Sequence, residues 1–269
     1  MGHQCLRQIR PPTGTSPRRE IRVEQQTVSE MVAPVVRLVQ ETLARGGVAA
    51  CVVGELALNY YNVPRVVHDV EFCVGTDELE KAASLLQERD GVSPAALCDF
   101  DLYTAHLQGF PRFRCDLRDE PPAHVVLFSA ASMRLDPIKE RVVPRELHSP
   151  AAQYSREILE SLAAPDLQSV DFPRLAPFFA GLCRRWLDAS DGVARIAAEQ
   201  LVDGMDLDEA WCRRNLLPSE SSACVQFALE LVSDKKSRVD HFVDHAITCF
   251  VGDKDEVEKL RKIPGADET

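Results

Sequence analysis

The sequence predicts an α/β domain with a mixed sheet, followed by an all-α region. Three observations predict this fold class. A run of small and β-branched residues from Val48 to Val53 suits a strand that is buried on both faces. The residues from His68 to Phe72 alternate with the period of two that is typical of a strand. From about Ser149 the composition turns helical, which indicates a second, all-α domain.

The predicted boundaries divide the chain into a basic arm (1–24), an α/β domain (25–148), a helical domain (149–263) and a short tail (264–269). The arm is rich in Arg, Pro, Thr and Ser and lacks a hydrophobic period, so we expect it to be disordered. A helical face is expected just after the arm, with a regular start near Ala33 because Pro34 suits only a first turn.

A strand, a turn and a short helix are predicted to follow one another between Val48 and Asn62. Gly54 directly after the strand permits a tight turn into a helix, whose first N–H groups are then free to face an anion. About two helical turns follow. Asn62 can end them because Asn tolerates the left-handed conformation, and Pro64 prevents any continuation.

Two carboxylates, Asp69 and Glu71, are predicted to lie side by side on the next strand. The alternation places them on one face and Val70 and Phe72 on the other. Two neighbouring carboxylates repel each other, so an uncompensated pair is destabilising. The pair is therefore most readily explained by a divalent cation, for which carboxylate oxygens are suitable ligands.

These residues resemble the nucleotidyltransferase fold of the DNA polymerase β-like superfamily, in particular its small-molecule and toxin-type branch. The motif of that branch reads G-[GS]-x-A-L-x-x-Y-G-x-x-R-x-T-x-D-h-[DE]. The positions that match it in register are Gly54, Ala57, Leu58, Tyr61, Arg65, Asp69 and Glu71. The resemblance implies that Asp69 and Glu71 bind Mg²⁺. It further implies that the turn at Gly54 and Glu55 seats the phosphates of a nucleoside triphosphate, with ATP as the expected substrate.

Three positions depart from the motif. Glu55 introduces a negative side chain where the family has a small residue, Asn62 replaces a glycine, and Val67 replaces a threonine. A carboxylate at a phosphate-binding helix start weakens nucleotide binding unless its side chain turns away. Two hypotheses follow. The first is Mg²⁺-dependent transfer of a nucleotidyl group from an NTP to a small-molecule or protein hydroxyl. The second is a catalytically degenerate member that serves as a binding or regulatory module.

The resemblance also implies a third metal carboxylate on a later strand. Extended runs are predicted at 101–107, 112–117 and 124–130, and the last of them contains no carboxylate. Asp116 is the first choice for the third ligand and possible base, because Cys115 and Leu117 flank it in a strand-like run. Asp101 is the second choice. Asp116 is equally consistent with an ordinary solvent-facing strand residue, in which case the two-metal site is incomplete.

Several charged residues have two interpretations each. Arg65 could reach a phosphate, or it could neutralise Asp69 and Glu71. His68 is expected to pack, since it points to the strand face opposite Asp69. Two arginine pairs, Arg184–Arg185 and Arg213–Arg214, could line an anionic substrate cleft or lie on a helix surface.

A histidine pair, His241 and His245, shares a predicted helix face with Asp244. Side chains four residues apart on a helix are neighbours, so these groups could bind a transition metal. No third ligand is identifiable from the sequence, so a solvated helix face is the favoured interpretation.

The composition restricts the partners and the compartment. A net charge of −11 opposes a long nucleic acid and favours a small substrate or a basic partner. The nine cysteines show no C-x-x-C spacing and indicate reduced thiols of an intracellular protein. No apolar run is long enough to span a bilayer, so we expect a cytoplasmic protein without a membrane partner.

Overall fold

A computed structural model describes residues 32–96, 104–117, 122–144, 147 and 155–238. The predicted arm at 1–24, the tail at 264–269, the histidine pair near 241–245 and Asp101 all lie outside these residues. No helix in the described ranges is long and apolar enough to cross a lipid bilayer.

The sheet has five strands and mixed directions. In chain order the strands are β1 (Ala50–Val52), β2 (Asp69–Val74), β3 (Val92–Pro94), β4 (Arg112–Cys115) and β5 (Ala123–Ser129). They lie side by side in the order β1-β2-β5-β4-β3. The central pair, β2 and β5, is parallel, and every other pair is antiparallel. The predicted mixed sheet is thereby confirmed.

One predicted strand is wrong in its described part. Residues 104–107 form a turn and a 3₁₀ helix (Ala105–Leu107) rather than an extended run. Leu107 instead packs into the small apolar cluster described below.

Helices occupy most of the rest of the described chain. Helix α1 covers residues 32–45. The following helices are α2 (Gly54–Tyr60), α3 (Leu79–Gln87), α4 (Ala130–Met133), α5 (Ile138–Arg141), α6 (Arg156–Ser161), α7 (Ala164–Leu167), α8 (Leu175–Ala189), α9 (Gly192–Gly204), α10 (Glu209–Leu216) and α11 (Ser222–Arg238). The helical composition predicted after Ser149 is confirmed for residues 155–238.

The predicted turn chemistry around α2 is confirmed. Gly54 has φ +61° and Asn62 has φ +59°, both in the left-handed region. A Cβ atom on residue 54 would overlap the Glu71 carboxylate, so the turn requires glycine for space as well as for conformation. The Tyr61 hydroxyl donates to the Pro173 carbonyl at 2.6 Å, which ties the end of α2 to the segment before α8.

The two faces of the sheet are unlike. Val70, Phe72 and Val74 of β2 face a large hydrophobic core that extends into α1 and the C-terminal helices. Cys73, on the opposite face, belongs to a smaller cluster with residues of β1, β5 and α4. Because side chains alternate along a strand, Asp69 and Glu71 lie on this second face.

Helix α8 is held close to the second face by α4. A Cβ atom on Gly181 would lie 2.7 Å from the Met133 carbonyl oxygen, so glycine allows the two helices to approach closely. Arg134, just after α4, forms an ion pair of 2.7 Å with Asp188 of α8. Helices α8 and α9 thereby form a wall opposite the edge of the sheet that carries Asp69.

Candidate functional site

A cleft of about 750 Å³ lies between the sheet and the α8–α9 wall. Its polar side comes from the turn, β2, β4 and the 104–107 segment, and its lining residues are Gly54, Glu55, Arg65, His68, Asp69, Glu71, Thr104, His106 and Arg112. Apolar side chains of Leu58, Met133, Phe178, Leu182, Val193, Ala194 and Ala197 also line it. This volume and this mixture of surfaces are typical of small-molecule sites.

Asp69 forms an ion pair with Arg112. The Arg112 guanidinium donates from Nε to Oδ2 of Asp69 at 2.8 Å and from Nη2 to Oδ1 at 3.0 Å. The side chains are 14% and 12% exposed, so the pair is largely shielded from water. Two parallel N–H···O bonds of this kind are the strongest arrangement of an arginine and a carboxylate.

The sheet register explains how a β4 residue reaches β2. Arg112 lies opposite Val126 of β5, and Val126 lies opposite Glu71 of β2, so all three side chains share one face. Neighbouring strands are about 4.8 Å apart. The arginine side chain is long enough to extend over Val126 and reach Asp69. The alternation of Arg112, Phe113 and Arg114 indicates that the two arginines share one face of β4. Only the sheet register shows that Arg112 meets Asp69.

Asp116, the predicted third ligand, is not among the residues that line the cleft. It follows β4 and accepts three hydrogen bonds from Arg114, at 3.0–3.1 Å. Half of each side chain is exposed. The hydrogen bonds from Arg114 lower the pKa of Asp116.

The physical reason is distance across the sheet. Two strand spacings separate β4 from β2, about 10 Å. An aspartate is too short to cross that gap, whereas the side chain of Arg112 is long enough. The structure therefore assigns Asp116 to a surface ion pair, in agreement with the solvent-facing interpretation.

Glu71 is buried against the glycine turn. Its carboxylate occupies the space beside Gly54, and its Oε1 atom lies 3.5 Å from Nε2 of His106. The Val53 N–H donates to the Glu71 carbonyl at 2.9 Å, which holds the turn against β2. A phosphate placed at this turn would face the Glu71 carboxylate unless a cation lay between the two groups.

Glu55 is turned toward the segment that precedes β2. Its Oε2 atom accepts a hydrogen bond from the His68 backbone N–H at 2.7 Å, and its Oε1 atom lies 3.0 Å from Nδ1 of the same histidine. The expectation that His68 packs is wrong, since its side chain is 76% exposed. His68 follows an irregular segment, so the strand alternation that placed it does not yet apply there.

Arg65 does not neutralise the carboxylates. Among the described residues its guanidinium has no hydrogen bond or ion pair, and its buried Nε atom lacks an acceptor. Its backbone is held firmly, because the Asn59 side chain accepts from the Arg65 N–H at 2.8 Å and donates to the Arg65 carbonyl at 3.0 Å. Arg112, which sequence reasoning missed, forms the ion pair that Arg65 was a candidate for.

Of the four arginines that were candidates for a cleft, only Arg185 lines it, and Arg213 and Arg214 are not among the lining residues. Arg185 lines the cleft and donates to Oδ2 of Asp191 from Nε at 3.0 Å and from Nη2 at 2.6 Å. Burial alone would raise the pKa of Asp191, but Arg185, the Ala194 N–H and His106 together lower it. Asp191 also caps α9, because its side chain accepts a hydrogen bond from the Ala194 N–H. Arg184 pairs with Glu220 and is not among the lining residues.

The predicted Mg²⁺ site does not fit these residues. Each oxygen of Asp69 accepts a hydrogen bond from Arg112, and Asp116 belongs to another pair. In the described ranges no three His, Cys, Asp or Glu side chains form a group that could hold a metal ion. The guanidinium of Arg112 therefore places a positive charge beside Asp69, where the sequence predicted a metal.

Comparison with known proteins leaves the chain without an assigned family. No protein-family model matches it, and no curated protein matches its sequence. Its function has to be argued from the cleft.

Proposed function

We propose that this chain is a small-molecule-binding module built on a nucleotidyltransferase-like sheet, and that it binds without a divalent metal. The observation that carries the proposal is the paired hydrogen bonding of Arg112 to Asp69. This pair supports the second of the two sequence hypotheses, the catalytically degenerate member. The cleft itself, with its polar and apolar sides, supports the binding role.

The energetics favour the arginine over a metal. A metal on Asp69 would displace the Arg112 guanidinium, which would then lose both of its hydrogen bonds to that carboxylate. Leaving a largely buried guanidinium without its carboxylate is unfavourable, so this exchange weakens metal binding. Mg²⁺ loses its water reluctantly and is bound by few protein ligands, so it is poorly suited to this competition.

A Mg²⁺-dependent nucleotidyltransferase is the second candidate. The left-handed turn at Gly54 and the adjacent carboxylates of β2 favour it. This reading requires that Arg112 release Asp69 before a metal binds. It also requires a third carboxylate, for which Asp101 lies outside the described residues and Asp116 faces Arg114.

Thermal unfolding of the purified chain with each ribonucleoside triphosphate, with and without Mg²⁺, separates the two functions. A ligand that binds only the folded state raises the melting temperature. We expect no Mg²⁺-dependent shift and no transfer of label from an α-phosphate-labelled NTP.

A shift that requires Mg²⁺ and disappears in both Asp69→Asn and Glu71→Gln would overturn the proposal. The second variant is needed because Asp69→Asn also breaks the pair with Arg112. Glu71→Gln leaves that pair intact, so its effect on a metal-dependent shift cannot arise from loss of the Arg112 contact.

A further inference from the structure

We infer that the cleft binds an organic carboxylate with an apolar body, and that Arg65 is the residue that recognises the carboxylate. This inference rests on the proposed binding function and adds the chemical class of the ligand. It is carried by the unpaired guanidinium of Arg65 beside an apolar wall.

Each of the three carboxylates that line the cleft already faces a cationic or protonatable side chain of the protein. The pairs are Asp69 with Arg112, Glu55 with His68 and Glu71 with His106, and the lining Arg185 pairs with Asp191 just outside the cleft. Within the described part of the chain, Arg65 alone among the lining arginines lacks such a partner. A guanidinium at the edge of a cleft with a buried, unsatisfied N–H calls for an acceptor, since leaving a buried donor unpaired is unfavourable.

A second nitrogen at the cleft is also unsatisfied. Nδ1 of His106 is buried without a hydrogen-bond partner, while the opposite ring nitrogen faces Glu71. Buried polar atoms in folded proteins are nearly always satisfied by protein, water or ligand. Of the six buried side-chain atoms without a partner in the described residues, these two lie on residues that line the cleft, where a polar group of a ligand would complete their hydrogen bonding.

The backbone of Arg65 is fixed before any ligand arrives. Asn59, which is 2% exposed, bonds both backbone groups of Arg65. Asn59 is itself held by the start of α6, because the Ser155 hydroxyl donates to its backbone carbonyl. The segment that carries the binding group therefore does not have to be ordered when the ligand binds, which limits the entropy cost.

The α8–α9 wall of the cleft favours a ligand with an apolar body. Phe178 and Leu182 of α8 and Val193, Ala194 and Ala197 of α9 present hydrocarbon to the cleft. Removing apolar surface of a ligand from water here is favourable, at about 25 cal/mol per Å². A small hydrophilic anion such as acetate would leave this wall uncovered and would bind weakly.

The charges that line the cleft favour a ligand with a single negative charge. One unpaired guanidinium matches one carboxylate in a two-bond geometry. A triphosphate would bring several further charges toward Asp69, Glu71 and Glu55, with no free arginine among the described lining residues to receive them. A monocarboxylate is therefore favoured over a phosphate ester.

Four probes with one common body test the ligand class. The thermal shift of the full chain is measured at millimolar phenylbutanoate, phenylbutylamine, phenylbutanol and phenylbutyl phosphate, with acetate as the probe that lacks the body. Phenylbutanoate is expected to raise the melting temperature most. Arg65→Gln is expected to weaken its binding about tenfold or more, since a hydrogen bond to a charged group is lost. Arg65→Lys should restore part of the binding.

Arg213→Gln is the matched control. It removes one positive charge from an exposed pair with Glu209 on α10, which does not line the cleft. Binding of phenylbutanoate should be unchanged in this variant. A loss of binding common to both variants would show a general charge effect and would overturn the role of Arg65.

The ligand class is overturned if phenylbutyl phosphate, the amine or the alcohol binds as well as phenylbutanoate, or if none of the probes binds. These outcomes are distinct from failure of the proposed function, which would appear as a Mg²⁺-dependent NTP shift of the wild-type chain. Unliganded melting temperatures of the variants establish that each has folded.

Discussion

Two arginine–aspartate pairs stand beside each other on the same face of the sheet. Arg112 binds Asp69 from a position where both side chains are more than four-fifths buried, whereas Arg114 binds Asp116 with about half of each side chain exposed. The two arginines are separated by a single residue of β4. Their hydrogen-bond lengths are nearly equal, at 2.8–3.1 Å.

The comparison teaches that position in the sheet, not residue type, decides what such a pair does. Arg114 bonds a residue two positions along its own strand end, at the surface, where water screens the charges. Arg112 reaches across an intervening strand to Asp69 at the cleft. There both charged side chains are largely shielded from water. The buried pair occupies a carboxylate that would otherwise be open to a metal. The exposed pair includes Asp116, which the sequence predicted to join Asp69 as a metal ligand.

The largest expected difference is in stability. Arg112→Gln should lower the free energy of unfolding by about 3 kcal/mol, because Asp69 then lies buried beside Glu71 with His124, 3.9 Å away, as its remaining protonatable neighbour. Arg114→Gln should cause no measurable change, because both Arg114 and Asp116 are exposed. Urea denaturation of the two variants measures the difference. Equal effects would show that the two pairs are energetically alike.

A gain of metal binding is the next effect in size. In Arg112→Gln the freed oxygens of Asp69 stand on the same strand face as Glu71, so the variant should be stabilised by Mg²⁺ or Mn²⁺. A metal at ten times its dissociation constant adds about 1.4 kcal/mol. The wild type and Arg114→Gln should show no such shift under the same conditions. An unchanged Arg112→Gln variant would mean that the arginine does not substitute for a cation.

His124 lies on β5 between the two pairs, and its pKa responds to the charges of both. Burial, followed by Arg112, lowers the pKa of His124, and Arg114 lowers it less. Arg112→Gln should therefore raise this pKa more than Arg114→Gln does, as followed by NMR titration of the imidazole. Since the folded state disfavours protonated His124, its contribution to stability falls as the pH drops below the ordinary histidine value near 6.5. A larger response to Arg114→Gln would contradict the order of the two influences.

The smallest effect concerns Asp116. Its pKa is lowered by the hydrogen bonds from Arg114, so Arg114→Gln should raise the pKa toward the ordinary aspartate value near 4. The linked stabilisation exists above the ordinary pKa and disappears as the pH falls through the lowered value. NMR titration of the Asp116 carboxyl group measures the change in its pKa. Arg112→Gln, as the control, should leave the Asp116 pKa close to that of the wild type.

The local part of the site was predictable from the sequence. The turn at Gly54, the left-handed Asn62 and the cap of α9 by Asp191 all follow from the chemistry of a few neighbouring residues. A polar residue near a helix start does not always cap it, and neither the 3₁₀ helix at Thr76–Glu78 nor α3 after it has a side-chain cap. Instead, Thr76 donates to Asp136 and accepts from the Ala131 N–H, so a contact distant in sequence replaced the local one.

The partner of each carboxylate was not predictable in this way. A one-residue change of register would move Arg112 to the other face of the sheet, so its contact with Asp69 depends on the pairing of β4 with β5 and of β5 with β2. Likewise, the apolar wall of the cleft exists because Gly181 lets α8 approach α4.

The sequence by itself determined the strand, the turn, the short helix and the side-by-side carboxylates of β2, because each depends on residues within about one turn or one strand of one another. The tertiary structure decided the charge that meets those carboxylates and left Arg65 unpaired among the described residues. The physical reason is that ion pairing depends on distances between side chains of different strands and helices, and these distances are set only when the sheet and the helices pack together.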